Sequence, residues 1–108
     1  MSRIYTITDV RTEGDVNRFR IRLDAGHRVY GAHFPGHPIT PGAVLLQICE
    51  DLLPEGKTAV CMKNVKFLRP HIPQEHPELD IVMTMTDEKA DFIIGDGSTI
   101  FAKLRMTI

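Results

Sequence analysis

The residues best suited to chemistry lie in Tyr30-Gly31-Ala32-His33-Phe34-Pro35-Gly36-His37-Pro38-Ile39-Thr40-Pro41-Gly42. Three prolines and three glycines in thirteen residues predict a stiff, tightly turned loop. It runs straight into an apolar segment, Ala43 to Leu53, which Pro54 closes. That segment reads as a helix, with Thr40 as its cap and Pro41 at its first position. A helix N-terminus leaves N–H groups without intrahelical partners, and these attract a developing negative charge. His33, fixed beside such a terminus, could serve as a general base. The chemistry is a base next to an oxyanion site, at the mouth of an apolar pocket. The bland alternative is a histidine that only packs the loop against its neighbours.

The elements that must position this loop follow from period-two alternation, the mark of half-buried antiparallel strands. Ile4, Thr6, Thr8 and Val10 alternate with Tyr5, Ile7 and Asp9. After the Glu13-Gly14-Asp15 turn, Phe19, Ile21 and Leu23 alternate with Arg18, Arg20 and Arg22, so the chain opens with a hairpin. Val60 to Leu68 is rich in β-formers, and its alternation slips at Lys63 and Asn64, where a bulge is expected. Leu79, Ile81, Met83 and Met85 mark another strand, and Gly95-Asp96-Gly97 joins Asp91–Ile94 to a last strand over Ile100–Ile108. Apolar residues run almost around the single predicted helix, so it should be buried on most sides. Only Gln47, Glu50 and Asp51, at i, i+3 and i+4, form a polar strip, which by itself reads as a solvated or interface face. A hairpin, one buried helix and further antiparallel strands predict an α+β fold, a curved sheet of five to six strands wrapped around that helix.

Composition bounds the function. A chain of 108 residues without repeat, linker or low-complexity tract reads as one domain over 1–108. It holds 13 basic and 14 acidic residues, a formal net charge of -1, which argues against nonspecific nucleic-acid binding. No apolar stretch has transmembrane length, and Met1–Val10 lacks the pattern of a secretory leader. Cys49 and Cys61 sit in apolar runs with no C-x-x-C pair, which predicts buried free thiols in a reducing cytoplasm. His33 and His37 are four apart, but the intervening prolines deny helical spacing and no third ligand is evident, so no metal site is expected. His27, His71 and His76 read as loop or surface residues, Met83/Met85 and Met62/Met106 as core filling. The Arg18, Arg20 and Arg22 face reads as a solvated surface, or as a contact for an acidic carrier protein. A domain this small buries a modest fraction of its surface, which favours a homo-oligomer.

His33-Phe34-Pro35-Gly36-x-Pro38-x-x-Pro41-Gly42-x-x-Leu45 resembles the signature of the 3-hydroxyacyl-[acyl-carrier-protein] dehydratases, which have the hot-dog fold. Lys63-Asn64-Val65-Lys66-Phe67-Leu68-Arg69-Pro70 looks like the strand that follows the central helix in that family, so the resemblance spans nearly the whole chain. It implies that His33 takes the α-proton of a 3-hydroxyacyl thioester, that the Ile39 carbonyl orients its imidazole, and that the Gly42 N–H polarises the thioester carbonyl. Phe34, Pro35 and Gly36 then belong to the substrate loop. The resemblance also implies a substrate on acyl carrier protein or coenzyme A, a place in fatty-acid or related acyl-chain metabolism, and no cofactor. It implies further a dimer that joins two sheets, with the acyl tail in a tunnel along the subunit interface.

One departure matters. The family carries Glu or Asp fourteen residues after the histidine, to protonate the departing hydroxyl, and here that position is Gln47. An amide can hydrogen-bond a hydroxyl but does not donate a proton at neutral pH, and losing a general acid typically costs about 10²–10⁴-fold in rate. Three readings accommodate it. Glu50 or Asp51 supplies the acid one turn later, or a partner chain supplies it in a heterodimer, or the protein binds or hydrolyses acyl thioesters without dehydrating them. As a thioesterase, a carboxylate such as Glu50 would activate water. Gln47 could also be a buried amide that satisfies a backbone group.

Overall fold

The alternating segments become one antiparallel sheet in the computed structural model, which describes residues 4–108. The first three residues of the Met1–Val10 stretch lie outside the described residues. The strands are β1 (Tyr5–Glu13), β2 (Val16–Leu23), β3 (Cys61–Phe67), β4 (Glu78–Met85), β5 (Lys89–Gly95) and β6 (Ile100–Thr107), in the order β1-β2-β4-β5-β6-β3. Hairpins join β1 to β2, β4 to β5 and β5 to β6, whereas β3 crosses over to the far edge beside β6.

Period two decides which side chains enter the core. Ile21 and Leu23 of β2, Leu79, Ile81 and Met83 of β4, Phe92 and Ile94 of β5, and Ala102, Leu104 and Met106 of β6 are buried together. Leu45, Ile48 and Cys49 of the main helix, α2 (Gly42–Asp51), pack onto this face with Leu52 and Leu53 just beyond it. Burying each large apolar side chain contributes about 1.5–3 kcal/mol, the term that holds helix to sheet. Met62 and Met85 pack at the margin of the same core, so the methionines fill space as expected. The outer face carries cross-strand ion pairs, Arg20 to Asp80 at 2.9 Å and Arg105 to Asp91 at 2.7 Å.

Two local irregularities answer to particular residues. The β3–β6 register shifts between Lys63 and Lys66, and Asn64 at φ 55 takes the left-handed conformation there, so the expected bulge is present. The β5–β6 turn places Gly97 at φ 97, open mainly to glycine, while Asp96 Oδ1 accepts from the Ser98 and Thr99 N–H groups.

Several expectations are corrected. A second, short helix, α1 (Arg28–Ala32), occupies the start of the presumed loop, with His27 Nδ1 accepting from the Val29 N–H at 3.1 Å. Helix α2 begins at Gly42 with Pro41 as its N-cap residue and no side-chain cap, because the Thr40 hydroxyl is engaged elsewhere. The helix itself is covered on most sides, as expected: its exposed residues, Ala43, Gln47 and Asp51, form one stripe at i, i+4 and i+8, and the rest are buried or half-buried. Cys61 is exposed because it opens an edge strand. Cys49 is buried, which pushes its thiol up to about 12 and leaves it inert as a nucleophile at neutral pH. Among the described residues, no helix is long and apolar enough to cross a membrane.

Candidate functional site

His33 follows the last residue of α1, and the chain then folds back on itself before α2. Phe34 and His37 exchange backbone hydrogen bonds at 3.1 and 2.9 Å, and the Ile39 N–H donates to the His33 carbonyl at 2.9 Å. The peptide joining His33 to Phe34 is cis, and the Phe34 ring stacks on the imidazole with centroids 4.0 Å apart. Within this frame His33 Nδ1 lies 3.1 Å from the Ile39 carbonyl oxygen. A carbonyl can only accept, so Nδ1 carries the ring proton and Nε2 presents its lone pair. The half-buried ring is therefore held in the tautomer that a base working through Nε2 requires.

Gly42 opens α2, so its N–H is one of the first-turn donors that helix geometry leaves without an intrahelical partner. Phe67 of β3 lies over it so closely that a Cβ on Gly42 would meet the ring at 2.6 Å. Any larger residue there would have to push the Phe67 ring aside.

Gln47 is exposed, neither buried nor bonded to backbone. Its Nε2 donates to Asp51 Oδ1 at 3.0 Å, and Asp51 Oδ2 accepts from the Tyr5 hydroxyl at 3.1 Å. Asp51 thus serves as an acceptor at both oxygens and links the helix to β1. Glu50, half-buried, stands outside this set. His33 makes no hydrogen bond to Gln47, Glu50 or Asp51 within the chain, so the loop and the polar helix strip are separate features of one protomer. A cleft of about 530 Å³ lies elsewhere, on the outer sheet face between Arg18, Arg20 and the Gly97–Thr99 turn. A shallower one of about 280 Å³ touches the loop at Phe34, Gly36 and Pro38, and neither joins His33 to Gln47.

Sequence reasoning missed the polar chain behind the loop. Thr40 Oγ1 lies 2.8 Å from the Tyr30 hydroxyl and 2.7 Å from His71 Nδ1. His71 Nε2 lies 2.7 Å from the His76 carbonyl, and His76 Nδ1 lies 2.7 Å from Asp96 Oδ2. His71 is 1% exposed, not a surface residue, because the Phe101 ring packs edge-on against it and the Arg69–Pro73 segment tucks under Thr40. A histidine between Pro70 and Ile72 carries no local sign of such burial.

Burial pushes the His71 pKa below its ordinary value, against a smaller opposing pull from its hydrogen bond to the His76 backbone. The unfolded chain, at about 6.5, therefore takes up this proton first as pH falls. Stability from His71 is fully present above about 6.5 and is lost as pH falls from there toward the lower folded value. Denaturant titrations between pH 8 and 5 should show a loss with a slope of at most about 1.4 kcal/mol per pH unit from this group, and a flatter profile in His71→Asn. Equal slopes in the two proteins would mean that His71 does not titrate differently on folding.

Residues 9–105 match the family described as ApeI-like, the ApeI dehydratase. The chain belongs to the ApeI-like dehydratase family. Among solved structures, this ApeI-like chain resembles one from the dehydratase heterocomplex ApeI:P of Xenorhabdus doucetiae, with a TM-score of 0.78 and 16% identity over 94% of this chain and 95% of that one. It also resembles an uncharacterized protein from Erwinia carotovora subsp. atroseptica, with a TM-score of 0.63 and 21% identity over 94% and 90% of the two chains. These likenesses show the hot-dog fold, with its six-stranded curved sheet and central helix. A search of the curated proteins gives no match.

Proposed function

We propose that this ApeI-like protein is a hydro-lyase subunit that holds 3-hydroxyacyl or enoyl thioesters, on acyl carrier protein or coenzyme A, at the His33 loop. The observation that carries the reading is the 3.1 Å contact of His33 Nδ1 with the Ile39 carbonyl, which leaves Nε2 basic just ahead of the α2 N-terminus. In the proposed reaction Nε2 takes the proton from C2 while the Gly42 N–H receives the charge that gathers on the thioester oxygen. The C2–H electrons form the C2=C3 double bond, and the C3–O bond breaks. The departing oxygen needs a proton to leave as water, and Gln47 can hydrogen-bond it but cannot protonate it.

The acid therefore comes from elsewhere or dehydration is slow. Asp51 is engaged as an acceptor by Gln47 and Tyr5, which makes it a poor donor within the protomer. A second reading, a binding subunit whose partner contributes the acid, draws support from the exposed Gln47–Asp51 face. It also draws on the fold's likeness to a member of a dehydratase heterocomplex. A thioesterase working through Glu50 is a third reading, and release of free thiol would distinguish it.

Hydration of a crotonyl thioester, followed by loss of its conjugated ultraviolet absorbance, tests the proposal. Gln47→Glu is expected to raise the rate by about 10²-fold or more over wild type, by restoring the carboxyl group that takes a proton from water in hydration and gives it to the departing oxygen in dehydration. If both proteins bind the thioester yet stay inert, this chain alone is not a hydro-lyase. The partnered reading would then be tested by adding the partner subunit.

A further inference from the structure

The peptide unit between Ile39 and Thr40 is pinned at both ends. Its oxygen accepts from His33 Nδ1 at 3.1 Å, and its N–H donates to the His71 carbonyl at 2.9 Å. A planar trans peptide points these two groups in opposite directions, so fixing the N–H fixes the oxygen. His71 also holds the Thr40 side chain. The His76 carbonyl can only accept, so His71 Nε2 carries the ring proton and Nδ1 offers a lone pair. Thr40 must donate its hydroxyl proton to Nδ1 at 2.7 Å, which leaves Thr40 Oγ1 to accept from the Tyr30 hydroxyl at 2.8 Å.

Tyr30, Thr40 and His71 are all buried, and among the described residues no buried side-chain polar atom lacks a partner. A fully satisfied buried network has one low-energy arrangement, because turning any member orphans another. The chain ends on a well-held anchor, since His76 pairs with Asp96, itself fixed by Ser98 and Thr99. Pro41, at φ -59, then carries the chain rigidly from Thr40 to Gly42.

We propose that His71 is a positioning residue for the His33 site, acting through the Ile39–Thr40 peptide. By gripping Thr40 at both backbone and side chain, it sets the direction of the carbonyl that selects the His33 tautomer. It also sets where that imidazole stands relative to the Gly42 N–H. The inference rests on the reading of His33 as the base.

The test compares wild type with Thr40→Val, which keeps the side-chain shape and removes the hydroxyl, and with Thr40→Ser, which keeps the hydroxyl. The ¹⁵N shifts of the His33 ring report its tautomer, and thioester hydration reports kcat and KM separately. Thr40→Val is expected to shift His33 from the fixed Nδ1–H form toward a tautomer mixture. It should lower kcat by about tenfold or more with KM within about twofold, since misplacing a base by a fraction of an ångström costs rate rather than binding. Thr40→Ser should restore both.

A folded Thr40→Val with the wild-type His33 tautomer and undiminished kcat would overturn the proposal and leave His71 a structural residue. Where the single variant loses its fold, Tyr30→Phe, Thr40→Val and His71→Leu together replace the linked side chains by apolar groups, and the combination is read in the same way. If neither wild type nor Gln47→Glu turns over thioester, the hydro-lyase reading fails for this chain alone, while the tautomer comparison still decides the positioning role.

Discussion

Replacing His33 with alanine is expected to lower thioester hydration by about 10²–10⁴-fold, the range for removing a general base. The loss should appear equally in wild type and in Gln47→Glu, because the proton taken from C2 and the proton given to the departing oxygen belong to different groups. Protein stability should change little. The imidazole is half-buried and gives up one hydrogen bond to the Ile39 carbonyl, worth about 0.5–1.5 kcal/mol. The check is the rate of absorbance loss at saturating thioester, run beside a thermal melt of the same samples. A His33→Ala protein that melts as wild type and still hydrates the thioester would assign the base to another residue. The loop would then keep only its role in holding substrate.

Removing the Phe92 ring should produce the largest loss of stability from a single truncation. Phe92 sits on β5 between Met83 of β4 and Leu104 of β6, at 1% exposure, among the side chains that meet α2. Phe92→Ala deletes a ring that its neighbours cannot refill, and the cost is about 3–5 kcal/mol. A domain of this size is stable by roughly 5–15 kcal/mol, so the variant would stand close to unfolding at growth temperature. The next residue along the same strand is the control. Ile93 points to the opposite face and is 40% exposed, so Ile93→Ala should cost under about 1 kcal/mol. Urea titrations at one protein concentration would give both values. Comparable losses would place Ile93 against a partner surface that covers the outer face of the sheet.

What the sequence determined by itself was whatever depends on near neighbours. Alternation marked the strands, because a strand buried on one face needs apolar side chains at every second position. It placed Leu79, Ile81 and Met83 together on one face of their strand, and all three are buried. The bulge at Asn64 showed as a slip in the same alternation. The His33 to Ile39 contact spans only six residues, within reach of a loop stiffened by its own prolines, although the Ile39–Thr40 peptide that supplies the carbonyl is also held from His71. The one local error, the missed α1, came from weighing glycine and proline above a helical turn only five residues long.

Tertiary structure decided the rest. Thr40 looked like a helix cap because a cap is its commonest local use. It became the partner of His71, 31 residues away, once the segment after β3 passed beneath the loop. Asp51 meets Tyr5 across 46 residues, and β2 pairs with β4 rather than with the strand that follows it in sequence. Cys61 lies in as apolar a run as Cys49, yet it is exposed because its strand fell at the edge of the sheet. Residues distant in sequence are joined only when hydrophobic burial of the whole chain overcomes the entropy of closing long loops. That balance belongs to the assembled core, so no local pattern could report it.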